Sequence, residues 1–292
     1  IMDRVMHGIG LHGKSFLPML LGFGCNVPAI MGARILENRS DRILTILINP
    51  LMSCSARLPI YAVFAAAFFP NHQGTVIFSM YFLGILLAIG IGLLFKTFFF
   101  PGESAPFIME LPPYRMPTLK SLALHMWDRG KMFIKKMGGI ILSISVMIWF
   151  MGTFPWGVEF ASEQSVIGMI GNLFAPIFAP LGFGTWQAAV SFIFGLCAKE
   201  VVVSTLSILY VGGADAGQEA VAGALRQVFT PLTAYAFMAF SLIYTSCVAT
   251  IATIRRETNS WGWTALSVTY QFALAWLVAF MIYQGGRLFG LR

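Results

Sequence analysis

Read for its alternation of apolar and polar positions, the chain is a series of long apolar runs separated by short polar gaps. The runs fall roughly at 16–33, 43–69, 75–95, 138–155, 165–181, 186–210, 231–254 and 262–284. A helix needs about 20 apolar residues to cross a bilayer, so most of these runs predict membrane helices. Several are irregular. The run at 16–33 contains Gly22, Gly24 and Pro28, and the run at 43–69 contains Pro50 and Pro59 and is too long for one straight helix. The run at 165–181, with Pro176 and Pro180, reads as a short interfacial or re-entrant piece. The long polar stretch lies at 96–137 and ends in a basic amphipathic segment with Trp127, Phe133 and four cations. Such a segment lies along the cytoplasmic membrane surface.

Composition sharpens this into a membrane protein. Hydrophobic residues make up 58% of the 292 and charged residues only 11%, where soluble domains run near a quarter charged. Too few polar residues remain to cover a soluble core, so lipid must cover it. The formal charge of +7 sits at the ends of apolar runs, at Arg34, Arg39 and Arg42, at Arg129, Lys131, Lys135 and Lys136, and at Arg255 and Arg256. That placement fits the cytoplasmic loops of an inner-membrane protein and excludes a nucleic-acid face, which needs a basic soluble surface.

Charge also sets an expected topology, and the expectation meets a conflict. Loop 34–42 is basic and reads as inside, loop 70–74 has no cation and reads as outside, and 96–137 reads as inside. Residues 152–185 carry Glu159 and Glu163 with no Lys or Arg, which fits outside. If 186–210 and 231–254 both span, Arg255 and Arg256 land outside. A broken or re-entrant helix among these runs removes the conflict, because irregular backbone at membrane depth is tolerated where it lines a cavity.

An internal repeat points to where such breaks lie. Ser53-Cys54-Ser55-Ala56-Arg57-Leu58 and Ser246-Cys247-Val248-Ala249-Thr250-Ile251 share the pattern S-C-x-A-x-apolar. Upstream, the segment around Gly24, Cys25, Asn26 and Pro28 has a looser echo in Gly195-Leu196-Cys197-Ala198-Lys199-Glu200. Transporters built from two such halves hold substrate near the midplane, where discontinuous helices meet. The fold class expected is therefore all-α, a polytopic membrane bundle of two repeats with broken or re-entrant helices.

The breaks carry suitable chemistry. Cys25, Cys54, Cys197 and Cys247 all lie in apolar runs, which argues against a disulfide framework. Thiols select soft or borderline cations such as ferrous iron, cuprous copper or zinc. Asn26 adds an amide oxygen and Glu200 a carboxylate. An ionisable residue inside a membrane run is a functional candidate by default, so Glu200 is favoured for a transport role ahead of Lys199, while Arg57 reads as holding a broken end. The candidate metal set is Cys25, Cys54, Cys247, Asn26, Glu200 and Cys197. It has no Cys-x-x-Cys pair of a structural zinc site and fits a weak transit site.

Other signals carry little. Gly8 to Ser15 matches the P-loop letters, but no apolar strand precedes it, and Phe16, Leu17 and Pro18 lead into the membrane. His7, His12, His72 and His125 read as loop or interface residues, and no catalytic triad or HExxH occurs, so no enzyme is expected. The chain opens at Ile1 without a leader, and this start reads as a cut through a longer protein.

At this point a family resemblance enters. The segments around Cys25-Asn26-Val27-Pro28, Ser53-Cys54-Ser55-Ala56-Arg57 and Glu110-Leu-Pro-Pro-Tyr114-Arg115 resemble ferrous iron transport protein B. So do Ala198-Lys199-Glu200, Cys247-Val-Ala-Thr and Arg255-Arg256-Glu257, in order along essentially the whole chain. The resemblance implies the later part of a membrane region with two gate-type repeats. The first repeat would occupy 1–95, incomplete at its start, the cytoplasmic connecting segment 96–137, and the second repeat with C-terminal helices 138–292. It also implies transport of Fe2+ across the bacterial inner membrane by way of Cys25 and Cys54, with Cys247 in the matching motif. GTP and Mg2+ would act only through an N-terminal GTPase domain outside this chain. Expected partners are that domain, the lipid bilayer and small cytoplasmic proteins of the iron system, with a homo-oligomer left open. Two rivals stand beside this reading, a gate-type carrier of an organic solute such as a nucleoside and a structural membrane module for the GTPase.

Overall fold

The computed structural model describes residues 13–100, 162–211 and 218–290 as continuous stretches, with Met6, Leu11 and a scatter of positions between 118 and 154. The described residues form helices and short 3-10 turns, with no strand among them. Most of the amphipathic segment expected at 96–137, most of the run at 138–155 and the Glu110 motif lie outside the described residues.

Two long, unbroken helices frame the molecule, α5 (Gln73–Phe99) and α12 (Trp261–Leu288). At 1.5 Å per residue each is about 40 Å long, more than the roughly 30 Å of a hydrocarbon core. Only 28% of the apolar window of each is buried within the protein, and large side chains such as Phe78, Phe82 and Leu86 on α5 point outward. The inward ridge of α5 repeats every four residues as Val76, Met80, Gly84, Ala88 and Gly92. Small residues at helical spacing let membrane helices approach closely, and a Cβ on Gly84 would stand 2.8 Å from the Leu51 carbonyl oxygen.

Two further candidate spans are broken partway along their length. Residues 39–68 form α3 (Arg39–Ile48) and α4 (Leu58–Phe68), with 3-10 turns and extended backbone between them. Residues 231–258 form α10 (Pro231–Ile243) and α11 (Val248–Thr258), separated at 244–247. The prolines expected to interrupt 43–69 sit at starts, Pro50 opening a 3-10 turn and Pro59 in the first turn of α4, where a missing N–H costs nothing. Thr230 caps α10 with a reciprocal capping box, and Asn259 adopts the left-handed conformation (φ 48°) that ends α11.

Four of the remaining helices form two hairpins, each with its two ends close together. In the first, α1 (Phe16–Gly22) and α2 (Asn26–Gly32) pack together, and Lys14 just before them pairs with Glu37 just after them at 2.9 Å. In the second, α7 (Trp186–Cys197) packs on α8 (Val201–Val211), and Thr185 at one end bonds Tyr210 at the other. The runs at 16–33 and 186–210 thus each fold back as a helical hairpin instead of running on as one continuous helix. The piece at 165–181, α6 (Val166–Phe178) with its closing turn, meets α7 at a bend of 103°. A short helix, α9 (Gln218–Val228), lies on α4, where Arg226 donates to the Ala67 carbonyl.

These pieces form an inverted repeat. The end of α5 stacks on the start of α12, with Phe99 and Phe100 against Trp263. The first hairpin opens on this face and the second on the other, where Gln284 donates to the Pro180 carbonyl. Element for element, α1–α2 corresponds to α7–α8, α3–α4 to α10–α11, and α5 to α12. A core of aromatic rings fills the space around α10, including Phe64 on Phe237 at 4.7 Å and Phe192 on Phe237 at 4.5 Å. Helix α10 is buried almost all round, which its unbroken apolar sequence requires.

Candidate functional site

The four breaks meet. Cys25, at the tip of the first hairpin, is extended with φ −151° and ψ 130°. Ala198, at the tip of the second, is extended with φ −149° and ψ 131°. The two span breaks also match: Cys54 has φ −76° and ψ 159°, and Cys247 φ −59° and ψ 154°. The structural repeat therefore pairs Cys54 with Cys247, as the shared sequence pattern does, but pairs Cys25 with Ala198 instead of Cys197.

Between the breaks lies a cavity of about 200 Å³. The first hairpin supplies Gly24, Cys25, Asn26 and Val27, the first span break Cys54 to Arg57, the second hairpin Ala198, Lys199 and Glu200, and the second span break Ser246, Cys247, Ala249 and Thr250. Cys54, Cys247 and Glu200 all lie within electrostatic reach of Cys25. Five of the six sequence candidates thus share one chamber. Cys197 does not join them. It lines a separate apolar cavity of about 180 Å³ with Met151, Ile167, Val190 and Phe194, because one residue along an extended tip turns the side chain to the other side.

Polar side chains fasten the breaks. Ser55 donates through its hydroxyl to the Gly24 carbonyl at 2.8 Å, tying the first hairpin to the first span. Gln271 of α12 accepts from the Ser246 amide at 3.1 Å and from its hydroxyl at 2.9 Å, and donates to Ser267. Arg57, fully buried, donates to the carbonyls of Pro50 and Met52 at 3.1–3.3 Å. Lys199, 2% exposed, donates to the Thr245 carbonyl at 2.8 Å and lies over the Tyr244 ring. Of the two neighbouring charges the sequence singled out, Lys199 is buried and Glu200 is exposed.

The donor set is open. Among the described residues no three of His, Cys, Asp and Glu stand close enough to hold one metal ion. Asn26, which lines the chamber, is 4% exposed and its Oδ1 is a buried acceptor with no hydrogen-bond partner. Thiols, one amide oxygen and one carboxylate are spread over four backbone breaks and form no closed tetrahedron of the structural-zinc kind.

Sequence reasoning passed over Gln271, Tyr244 and Thr264. A signal for the α12 residues exists: Thr264, Ser267 and Gln271 are buried on one face at i, i+3 and i+7 of an apolar run, a spacing that marks one helix side. Nothing local distinguishes Tyr244 from other membrane tyrosines.

Comparison with known proteins agrees with this architecture. The Gate model, described as nucleoside recognition, matches residues 1–68 and 134–261. The model described as ferrous iron transport protein B C terminus matches residues 77–129 between them. The chain is 47% identical over 290 residues to an Fe(2+) transporter FeoB of Staphylococcus aureus, covering 99% of this chain and 43% of that protein. It is 45% identical to the Fe(2+) transporter FeoB of Methanocaldococcus jannaschii, covering 99% and 44%. It is 44% identical to an Fe(2+) transport protein A/Fe(2+) transporter FeoB fusion protein of Porphyromonas gingivalis, covering 99% and 40%. No solved structure matches the chain. The chain spans about two fifths of the length of these curated relatives. With the two Gate segments flanking the C-terminus segment in one polytopic helical bundle, this chain belongs to the ferrous iron transport protein B family.

Proposed function

We propose that this chain is the permease part of a GTPase-linked ferrous iron transporter and that Fe2+ crosses the bacterial inner membrane through the chamber where the four breaks meet. The observation that carries this reading is the convergence of Cys25, Cys54 and Cys247, from three separate breaks, on one cavity. The relatives' names supply the ion, and thiols suit a borderline cation such as Fe2+. The protein's work here is ligand exchange and conformational change, with no covalent bond made or broken.

The two repeats are assigned to 1–95 and 138–292, joined by a connecting segment at 96–137. Lys14, Arg34, Arg39, Arg42, Lys96, Arg255 and Arg256 gather towards one face, which the positive-inside rule makes cytoplasmic. GTP would act from a domain outside these residues, and the fusion named in one relative makes a small transport protein A-like chain a candidate partner. The iron-named relatives align over 99% of the chain, which favours the ion over a nucleoside.

The test is iron uptake at matched membrane abundance. The Cys25→Ser, Cys54→Ser double variant is expected to lose about tenfold or more in uptake, the scale of a damaged metal site. Unchanged uptake would remove the thiols from the path.

A further inference from the structure

The chamber that would pass a cation has two basic side chains, Arg57 and Lys199, in its wall against one carboxylate, the exposed Glu200. Arg57 and Lys199 are 0% and 2% exposed, and make no ion pair among the described residues. Their partners are carbonyl oxygens and one ring face, which offset part of the charge and leave the rest. Helices α4, α8 and α11, each of 11 residues, begin at the chamber, so their positive ends face it as well. A buried charge without a compensating partner is costly, and here two stand together beside a proposed path for a divalent cation.

Two orphan groups show what is missing. The Nε of Arg57 is buried with no hydrogen-bond partner, a donor waiting for an acceptor. The Oδ1 of Asn26, another residue lining the cavity, is a buried acceptor with no donor. A chamber of about 200 Å³ has room for more than one small species. An acceptor-only, negatively charged ligand answers the Arg57 donor and the two cations together, while a cation answers the Asn26 oxygen.

We propose that this chamber binds a small monovalent inorganic anion of the chloride class against Arg57 and Lys199. The anion supplies the counter-charge that lets Fe2+ pass two buried cations. The counter-charge role rests on the iron reading above, whereas the anion site rests on the chamber's own geometry.

Chloride-35 NMR on the intact transporter in detergent, without iron, reads the site directly. The expected result is saturable line broadening that bromide displaces, weakened at least about tenfold in Arg57→Met and in Lys199→Met, a loss worth about 1.4 kcal/mol. A second reading needs no variant. In the unaltered protein, chloride is expected to slow maleimide labelling of Cys25 and Cys54 relative to gluconate at equal ionic strength. No saturable broadening, or broadening that survives both substitutions, overturns the proposal. So do labelling rates equal in the two salts, which would leave the cysteines themselves as the source of negative charge. Chloride that binds as expected in a protein that moves no iron in either salt upholds the anion site and counts against the transport reading alone.

Discussion

Arg34 and Glu257 lie 223 positions apart and meet in a two-pronged ion pair, Nε to Oε2 and Nη2 to Oε1, each at 2.7 Å. Arg34 follows the end of α2, and Glu257 sits in the last turn of α11. The pair therefore joins the closing ends of two helices that both start at the central chamber and pack along each other. Glu257 is nearly covered, with its side chain 6% exposed against 54% for Arg34. The contact also resolves the topological conflict in the charge pattern. It places Arg255 and Arg256 on the same face as loop 34–42, which a re-entrant reading of the hairpin at 186–210 explains.

One prediction concerns sidedness. Single cysteines at Arg34 and at Arg255 are expected to react with a membrane-impermeant maleimide from the same side, in inverted vesicles and not in right-side-out ones. Labelling from opposite sides would refute the re-entrant reading of 186–210. For the pair itself, Arg34→Glu and Glu257→Arg alone are expected to lower the melting temperature of the purified protein, and the double exchange to restore most of the loss.

Cys197 provides an internal control for the thiol path. It lines an apolar cavity with Met151 and Phe194, away from the chamber. Cys197→Ala is expected to take up iron at the unaltered rate, measured beside Cys25→Ser and Cys54→Ser. A loss as large as theirs would place the path elsewhere.

Gln271 holds the second span break open by accepting two hydrogen bonds from Ser246. Gln271→Leu leaves the buried Ser246 amide without an acceptor, at a cost of about 2 kcal/mol. Thermal unfolding in detergent measures the loss, and iron uptake is expected to fall with it as Cys247 loses its fixed backbone. A variant as stable as the parent would show that the α11 start does not depend on α12.

Gly84 and Gly90 lie on α5 and differ only in surroundings. A Cβ at Gly84 would stand 2.8 Å from the Leu51 carbonyl oxygen, beside the first span break, while one at Gly90 would meet nothing within 4 Å. Gly84→Ala is expected to destabilise by about 1–3 kcal/mol, as overpacking does. Gly90→Ala is expected to be neutral or to stabilise by up to about 1 kcal/mol through helix propensity. Equal melting temperatures for the two variants would remove the close approach of α5 to the break.

Much of the fold was legible because its signals are local. Apolar runs, the prolines and glycines inside them and the twice-used S-C-x-A pattern reported the long helices and the Cys54 and Cys247 breaks. The hairpins at 16–33 and 186–210 were not legible as hairpins, since a buried apolar run reads alike whether it crosses the membrane or turns back. That difference lies in contacts such as Lys14 with Glu37 and Thr185 with Tyr210, which join residues far apart in the chain. The site divided in the same way. Cys25, Cys54, Cys247, Asn26 and Glu200 could be nominated one by one from residue type and position. The sequence echo also nominated Cys197, which the backbone register at Ala198 excludes from the chamber.

By itself the sequence determined that this protein is a multi-pass membrane protein, and it showed an S-C-x-A pattern used twice and thiols beside the interruptions of its apolar runs. Each of these is a property of composition or spacing along the chain. Only the tertiary structure decided that the matching elements run in opposite directions, that Lys199 is buried while Glu200 is exposed, and that two basic side chains without ion-pair partners among the described residues share the thiol chamber. Those are properties of where the four breaks meet, and that meeting is fixed by packing among α5, α10 and α12, whose contacting residues are distant in sequence and carry no local mark of one another.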